Sequence, residues 1–381
     1  MSFADLGLCE PILNAVKSEG YEVPTPIQSE AIPHVLAGRD LFGCAQTGTG
    51  KTAAFALPII HRLMESGVVS TKVRRPIRAL ILAPTRELAI QIADCILAYS
   101  KHTDIRHTLV FGGVSQVPQV RALQRGIDIV VATPGRLCDL MAQGHVDLSH
   151  VETFVLDEAD RMLDMGFAPQ LNRIVEQVPR YRQTLLFSAT MPPEVEALAR
   201  KYLRKPVVVQ VGRRSSAATT VTHAVYPVPR HLKNDLLVHL LTKKAHDSVL
   251  VFTRTKSGAD RVVQDLEKAG VKAGAMHADK SQRERMAALE DFKSGKLRVL
   301  VATDIAQRGL DISGITHVIN YDVPQQPEDY VHRIGRTGRA ASTGDAYTFM
   351  AAEDIGMVRT IERTIGQEIP RVSVPGFDFG T

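Results

Sequence analysis

Short runs of apolar and β-branched residues alternate along the chain with longer stretches in which apolar positions recur every three or four residues. Uninterrupted apolar runs are typical of strands buried on both faces, and their alternation with amphipathic stretches predicts parallel sheets covered by helices. The predicted strands are residues 40–43, 79–82, 127–132, 153–156, 184–187, 248–252, 273–276, 297–302, 316–320 and 346–350. The pattern therefore predicts an α/β protein.

The alternation stops at residues 211–220, which read VGRRSSAATT and contain few core-forming side chains. Because 381 residues are enough for two hydrophobic cores, we interpret this segment as a linker between two domains, residues 1–210 and 221–370. A surface loop inside one large domain is the alternative. Residues 371–381 are rich in glycine and proline and are predicted to be a tail that lies over the surface.

Small or polar residues directly follow almost every predicted strand. These clusters are residues 83–87, 133–136, 157–160, 188–190 and 303–304. Open parallel sheets bind ligands beyond the carboxyl ends of their strands, so such clusters gather at one edge of each sheet. Ordinary loop chemistry explains one such cluster but explains five poorly. The sequence therefore predicts a functional edge on each sheet.

Residues 45–52 read AQTGTGKT and lie between a predicted strand and a helical stretch, as a phosphate-binding loop does. Its glycines allow successive backbone N–H groups to face phosphates, and the following helix directs its positive end at them. Lys51 is then expected to reach the β- and γ-phosphates, and the Thr52 hydroxyl to bind Mg²⁺. The other candidate nucleotide-binding residues here are Ala45, Gln46, Thr47, Gly48, Thr49 and Gly50. ATP or GTP binding follows.

Asp157 and Glu158 follow the predicted strand 153–156 and complete this candidate site. A carboxylate at the end of a neighbouring buried strand is where a second contact to Mg²⁺ is expected. Asp157 suits the metal, partly through water, and Glu158 suits the base that orients an attacking water. Paired acids also cap helices at their N-termini, so capping remains an alternative that is compatible with catalysis.

Composition changes this picture little. The net charge of +5 and pI of about 9.0 are compatible with nucleic acid but do not establish it. The four cysteines, Cys9, Cys44, Cys95 and Cys138, are too scattered for a zinc knuckle and are expected to be reduced thiols. Since there is neither an apolar run near the roughly 18 residues of a membrane span nor a signal-peptide core at the N-terminus, we expect a cytoplasmic protein.

Taken together, the motifs resemble those of the DEAD-box RNA helicases over essentially the whole chain. They are AQTGTGKT (45–52), PTREL (84–88), GG (112–113), TPGR (133–136), DEAD (157–160), SAT (188–190), VFTRT (251–255), HADKSQRER (277–285), TDIAQRGLD (303–311) and HRIGRTGR (332–339). The ending QEIPR (367–371) followed by PGF (375–377) resembles the bacterial RhlE-type branch. Gln307 and Ala278 depart from the family pattern and put local RNA contacts in doubt.

Residues 20–28, GYEVPTPIQ, resemble the family's Q motif, with Phe3 as the isolated aromatic residue before it. Gln28 can offer a donor and an acceptor to adenine N6 and N7, and Tyr21 can stack on the base. Because guanine has O6 in place of N6, ATP is favoured over GTP. A helix-entry turn is the alternative explanation for the two prolines of this segment.

The resemblance implies two tandem RecA-like domains, each a parallel sheet flanked by helices, with a nucleotide cleft between them. In that cleft, Asp311 lies near the ribose, and Arg336 and Arg339 act on the γ-phosphate. Contacts with RNA phosphates, or surface ion pairs with Asp160 or Glu328, are the alternative roles for these two arginines. The implied RNA contacts are Pro84, Thr85, Arg86, Gly113, Thr133, Arg136 and Thr303. The implied residues of interdomain coupling are Asp160, Ser188, Thr190 and His332.

The implied activity is ATP hydrolysis on RNA-induced domain closure, which locally unwinds short duplexes or remodels RNA–protein complexes. The cofactors are ATP and Mg²⁺, the chain is expected to be a monomer, and ribosome-assembly or RNA-decay proteins are candidate partners. Two alternatives remain open: a DNA-dependent motor of the same superfamily, and an ATP-gated RNA clamp without significant unwinding. The RNA substrate and cellular process are not specified by the sequence.

Overall fold

The computed structural model describes residues 1–45, 48–67, 75–211, 221–243, 247–304, 314–338 and 343–378, apart from the side chain of Glu328. The chain divides into two compact units, residues 1–212 and 213–381. This division falls within the segment that we interpret as a linker, most of which lies outside the described residues.

A parallel sheet forms the centre of the first unit. Its strands are β1 Leu41–Cys44, β2 Ala79–Leu82, β3 His107–Val110, β4 Ile129–Ala132, β5 Thr153–Leu156, β6 Gln183–Ser188 and β7 Val207–Gln210. They are arranged in the order β3-β4-β2-β5-β6-β1-β7, and every described pairing between them is parallel. The carboxyl ends of these strands therefore share one edge of the sheet.

A second parallel sheet forms the centre of the other unit. Its strands are β8 Val221–Pro227, β9 Val249–Phe252, β10 Ala273–Met276, β11 Val299–Ala302, β12 His317–Asn320 and β13 Gly344–Met350. Their order is β10-β11-β9-β12-β13-β8, and the described pairings are again parallel. The chain therefore has the predicted fold class, two α/β units each built on a parallel sheet.

Helices connect the strands, and several begin where the sequence provides a start signal. In the first unit they are α1 Glu10–Ser18, α2 Pro26–Leu36, α3 Lys51–Glu65, α4 Arg86–Tyr99, α5 Val117–Gln124, α6 Pro134–Ala142, α7 Ala159–Asp164, α8 Ala168–Gln177 and α9 Pro193–Tyr202. In the second they are α10 Lys233–Lys243, α11 Lys256–Lys268, α12 Gln282–Lys293, α13 Pro327–Ile334 and α14 Ile355–Ile365. Ser281, for example, accepts a hydrogen bond from the Glu284 N–H (3.3 Å) at the start of α12. Among the described residues, no helix combines the length and apolarity that a bilayer span requires.

Successive residues of each central strand contribute to opposite cores. In β2, Ala79 and Ile81 join one apolar cluster, while Leu80 and Leu82 join the cluster on the other face, and all four are fully buried. This alternation is the period of two that a strand imposes on its side chains. Because both faces are covered, the sheet holds its loops on a rigid frame.

Each predicted strand has a counterpart within about two residues of the predicted bounds, whereas β3, β7 and β8 were not predicted. The first two lie at the edges of the sheet, and their side chains are partly exposed. β3 mixes polar and apolar residues, and the apolar run of β7 is only three valines long. β8 begins directly after the predicted linker, and it also lies at an edge of its sheet. Edge strands bury fewer side chains and carry a weaker sequence signal.

The predicted tail lies against the second unit. The Val225 N–H donates to the Pro370 carbonyl (2.8 Å), and the Val372 N–H donates to the Val225 carbonyl (2.8 Å). Farther along, the Phe377 ring lies 5.5 Å from the His239 ring. These contacts extend the edge of the second sheet by a short bridge.

Candidate active site

The described residues of the loop between β1 and α3 combine two left-handed glycines with a buried lysine. Gly48 and Gly50 have φ values of +81° and +91°, a backbone conformation that residues with a side chain rarely adopt. The Ala45 N–H donates to the Ser188 carbonyl (3.0 Å), which ties the loop to β6. Lys51 is 5% exposed, and its Nζ donates to the Ala45 carbonyl (2.9 Å). Gln46 and Thr47 lie outside the described residues.

Gln28 connects the predicted Q motif directly to the phosphate-binding loop. It lies in α2, is 4% exposed, accepts a hydrogen bond from the Thr25 N–H (2.9 Å) and donates one to the Gly50 carbonyl (3.2 Å). A Cβ on Gly50 would lie only 2.4 Å from the Gln28 Nε2. The amide keeps one further N–H and one further lone pair beyond these two bonds, which is what a bidentate contact to adenine needs.

The two aromatic residues predicted to bind the nucleotide lie in different environments. Tyr21 is 39% exposed; its hydroxyl lies 3.3 Å from that of Tyr99, and the two rings meet edge to face at 6.2 Å. Phe3 is 5% exposed and belongs to the apolar core of the first unit. Tyr21 can therefore offer a ring face to a base, whereas Phe3 would have to leave the core to do so.

Asp157 is a buried carboxylate beside a buried cation. Burial raises the pKa of Asp157 to about 6, and the nearby Lys51 ammonium partly opposes that shift. Its Oδ1 accepts the Glu158 N–H (3.0 Å). Among the described residues there is no group of three or more His, Cys, Asp or Glu side chains that could hold a metal. Mg²⁺ retains several waters and binds phosphate, so Asp157 with Thr52, in the first turn of α3, is a donor set that fits it.

Glu158 has a strained backbone and a charged neighbour that the sequence analysis did not identify. Its φ of 55° and ψ of 53° lie in the left-handed region, which costs about 1–3 kcal/mol for a residue other than glycine. Its carboxylate lies 3.3 Å from the Arg161 guanidinium, and both side chains are about 3% exposed. Glu158 occupies the N-cap position of α7 without a side-chain capping bond, which disfavours capping as its role.

Asp160 and the SAT segment meet inside the first unit. Asp160 Oδ2 accepts hydrogen bonds from the backbone N–H (3.0 Å) and the hydroxyl (2.8 Å) of Thr190. The Ser188 hydroxyl in turn donates to the Thr190 carbonyl (2.6 Å). Three of the four predicted coupling residues are therefore one network between the ends of β5 and β6. The fourth, His332, lies in α13 of the second unit.

The predicted RNA contacts of the first unit follow three adjacent strands, β2, β4 and β3. Arg86 packs against Gly113 so closely that a Cβ there would lie 2.1 Å from the Arg86 Nη1. Arg136 donates to the Val114 carbonyl (3.2 Å) of the same loop. Thr85 caps α4 by accepting the Leu88 N–H (3.3 Å). Pro84 and Thr133 complete this group at the ends of β2 and β4, and both are buried.

Gln119 holds this loop in place, and the sequence analysis did not identify it. Its Nε2 donates to the Phe111 carbonyl (3.0 Å), and its Oε1 accepts the Phe111 N–H (3.2 Å). The side chain is 8% exposed. The only signal for this role in the sequence is a glutamine that closely follows a pair of glycines.

In the second unit, Arg333 connects the ends of three strands. Its guanidinium makes a bidentate pair with Asp304 (2.6 and 2.7 Å) and donates to the Asn320 side chain (3.1 Å) and the Asp322 carbonyl (2.7 Å). It also lies 5.0 Å from the Phe252 ring centre. Thr303, the predicted RNA contact, precedes Asp304 and is 8% exposed. The sequence analysis assigned no role to Arg333, although it belongs to the HRIGRTGR motif.

Arg336 closely follows α13, and its side chain is 2% exposed. Helix α13 packs with Tyr330 and Ile334 in an apolar cluster of the second unit. The turn after it is fixed in place, since the Thr337 hydroxyl donates to the Ile315 carbonyl (2.6 Å). Asp311 and Arg339 lie outside the described residues.

Comparisons with known proteins agree with this arrangement. Residues 25–198 match the family model "DEAD/DEAH box helicase", and residues 232–341 match "Helicase conserved C-terminal domain". The ATP-dependent RNA helicase CshA of Listeria monocytogenes is 44% identical, over 99% of this chain and 71% of its own length. The ATP-dependent RNA helicase DBP2 of Eremothecium gossypii is 46% identical, over 97% of this chain and 67% of its own length.

Solved structures resemble the chain over nearly its full length. Dbp5 of S. cerevisiae bound to RNA and ADP BeF3 has a TM-score of 0.86 at 30% identity, covering 97% of this chain and 95% of that one. A DEAD box protein from Methanococcus jannaschii has a TM-score of 0.56 at 38% identity, covering 98% of this chain and 99% of that one. Both units therefore have the fold of known helicases.

The contact between Gly50 and Gln28 generates a prediction about nucleotide binding. Gly50→Ala should weaken ATP binding by at least tenfold, because its Cβ would displace Gln28 in addition to straining a left-handed backbone. Gly144→Ala is the matched control, since Gly144 has a φ of +73° and nothing within 4 Å of an added Cβ. Equilibrium titration with a fluorescent ATP analogue measures both. Equal ATP affinities for the two variants would show that the contact between Gly50 and Gln28 does not contribute to ATP binding.

Proposed function

We propose, from the premise that the chain belongs to the DEAD-box family of ATP-dependent RNA helicases, that it hydrolyses ATP when RNA is bound and opens short RNA duplexes locally. The observation that carries this proposal is the carboxyl edge of the first sheet. The candidate ATP residues follow β1 and β5, and the candidate RNA contacts follow β2, β3 and β4. Because β5 and β2 are neighbours, a shift in the DEAD segment can be transmitted to the RNA contacts.

ATP is held first by the phosphate-binding loop. Lys51 exchanges its bond to the Ala45 carbonyl for the β- and γ-phosphates, and the glycine N–H groups donate hydrogen bonds to the phosphate oxygens. Gln28, anchored on Gly50, reads the adenine with its unused donor and acceptor. Tyr21 offers the stacking surface beside it.

Asp157 and Thr52 would hold Mg²⁺, Asp157 partly through water. When bound there, Mg²⁺ would supply positive charge that stabilises the phosphates during transfer. Asp157 suits this position because a fully buried carboxylate, whose pKa is raised to about 6, is stabilised by any cation placed beside it.

Glu158 orients the attacking water and accepts its proton. In the described conformation its charge is balanced by Arg161 at 3.3 Å, so the carboxylate must turn towards the water or share its charge with both partners. The left-handed backbone directs this side chain differently from a helical residue. Arg161 is therefore proposed as the residue that positions the base.

RNA is held through its backbone. The candidate contacts offer guanidinium groups, hydroxyls and glycine N–H groups, which suit phosphates and give no reading of base edges. Binding is therefore expected to be independent of sequence and to favour one strand. Thr303 in the second unit, next to the Arg333–Asp304 pair, extends this set.

Turnover is proposed to require both units. The second contributes Asp311 for the ribose and Arg336 and Arg339 for the γ-phosphate. Hydrolysis would then depend on a conformational change that brings these residues to the nucleotide. A cytoplasmic location, a monomeric state, the protein partners and the RhlE-type branch stay predictions from the sequence.

Strand displacement separates this proposal from its alternatives. An unwinding enzyme should open a short RNA duplex with ATP and turn over repeatedly. A clamp should bind RNA equally well with a non-hydrolysable analogue and release no strand with either nucleotide. A DNA-dependent motor should be stimulated by DNA at least as strongly as by RNA.

Glu158→Gln tests the assignment of the base. The variant should bind ATP and RNA but turn over at least about a hundredfold more slowly, because the amide keeps the shape and loses basicity. It should also release RNA slowly while ATP is present. Steady-state phosphate release and RNA dissociation measure the two effects, with the exposed Glu194→Gln as control. Unchanged turnover would remove Glu158 from this role.

Arg336→Ala tests the contribution of the second unit. We expect near-normal ATP affinity and a loss of RNA-stimulated turnover of several hundredfold or more, because arginine fingers contribute on the order of 10³–10⁵ in rate. Arg336→Lys should restore little, since a lysine lacks the planar fork. Arg363→Ala removes an exposed arginine of the same unit as a control. A loss below tenfold would remove Arg336 from this role.

A further inference from the structure

A cluster of cations with one aromatic ring lies at the opposite edge of the first sheet from the nucleotide site. We define this basic–aromatic patch as Arg39, Arg180, Tyr181, Arg182, Arg204 and Lys205. Arg39 precedes β1, Arg182 precedes β6 and Lys205 precedes β7, and these three strands are adjacent in the order β6-β1-β7. The amino ends of neighbouring strands lie about 4.8 Å apart, so these residues share one surface.

The patch is built on buried polar side chains. Asp40, 7% exposed, accepts the Thr184 N–H (2.8 Å) and the Arg204 N–H (2.7 Å), which joins the loop before β7 to β6. Gln183, 5% exposed, donates to the Arg39 carbonyl (2.7 Å) and holds that loop beside them. The surface is therefore organised before any ligand arrives.

Tyr181 is 86% exposed, which is unusual for so large an aromatic side chain, and the Arg204 guanidinium lies 5.2 Å from its ring centre. Arg39, Arg180, Arg204 and Lys205 are also exposed. Burial and the nearby Arg204 charge lower the pKa of Arg182, so positive charge is crowded here. An anion would relieve that repulsion, and a planar base would cover the exposed ring.

We propose that this basic–aromatic patch is a second contact site for single-stranded RNA. It binds the nucleotides that flank the RNA segment held at the carboxyl edge. A stacking ring between exposed cations is the combination that binds single strands through bases and phosphates together. This inference rests on the proposed RNA substrate. The six residues of β6 span about 20 Å, whereas five stacked nucleotides span about 17 Å, so an RNA of that length at the carboxyl edge does not reach the patch.

The test compares RNA lengths in the full-length protein. Arg180, Arg204 and Lys205 are replaced together by glutamine, and Tyr181→Ala is made separately. The charge-matched control replaces Lys17, Lys101 and Arg125, which are exposed on the same unit outside the patch. Affinities for single-stranded RNAs of about five and about forty nucleotides are measured at several salt concentrations. Turnover stimulated by the short RNA is measured as well.

The patch variant should bind the long RNA at least about tenfold more weakly and the short RNA normally. The slope of log affinity against log salt should fall by about 2, since each phosphate contact in a single strand contributes about 0.7. Tyr181→Ala should lose about fivefold or more on the long RNA alone. Normal turnover with the short RNA shows that the fold and the nucleotide site are intact.

Equal losses in the patch and control variants, or no loss on long RNA, would overturn the inference. Tighter binding of an acidic polypeptide to the patch, with long-RNA affinity unchanged, would identify a protein-docking surface and overturn it as well. If the unaltered protein shows no stimulation by short RNA, the proposed function itself fails. If stimulation is normal and only the length effect is absent, the proposed function stands and the patch has another role.

Discussion

Parallel pairing of the strands is the constraint on which the rest of this structure depends. Every described pair in both sheets is parallel, so each strand delivers its following residues to the same edge. Residues as distant as Lys51 and Asp157 are thereby brought close enough for the ammonium to influence the carboxyl pKa. Apolar clusters on both faces keep the first sheet rigid. The loops at its edge can therefore contain strained backbone and buried charged side chains.

Buried charges at these edges are compensated in pairs, and those pairs involve the residues of the proposed chemistry. Glu158 pairs with Arg161 and Asp304 with Arg333, while Lys51 is close enough to oppose the rise in the pKa of Asp157. Removing one member of a buried ion pair leaves an uncompensated charge, which destabilises the unit. ATP and RNA would offer these side chains new partners. Exchange of partners is therefore a physical route by which binding can alter both units.

Sequence patterns predicted the central strands closely but missed three of the four edge strands. Residues 79–82 and 153–156 were predicted with the bounds that the structure has, because strands buried on both faces need continuous apolar runs. β3 was missed because its half-exposed residues mix polar and apolar types, and β7 because its apolar run is only three residues long. The phosphate-binding loop was predictable since its glycines and lysine are contiguous and their spacing follows from phosphate geometry.

The sequence by itself determined the fold class, the helicase family and the residue types of the ATP site, because these depend on local patterns and short motifs. Only the tertiary structure decided which side chains meet. It joined Gln28 to Gly50, Arg161 to Glu158 and Arg333 to Asp304, and it buried Arg336. It also collected the basic–aromatic patch from three separate loops. Such contacts depend on strand order and on side-chain packing across the sheet. Neither can be predicted from the spacing of residues along the chain.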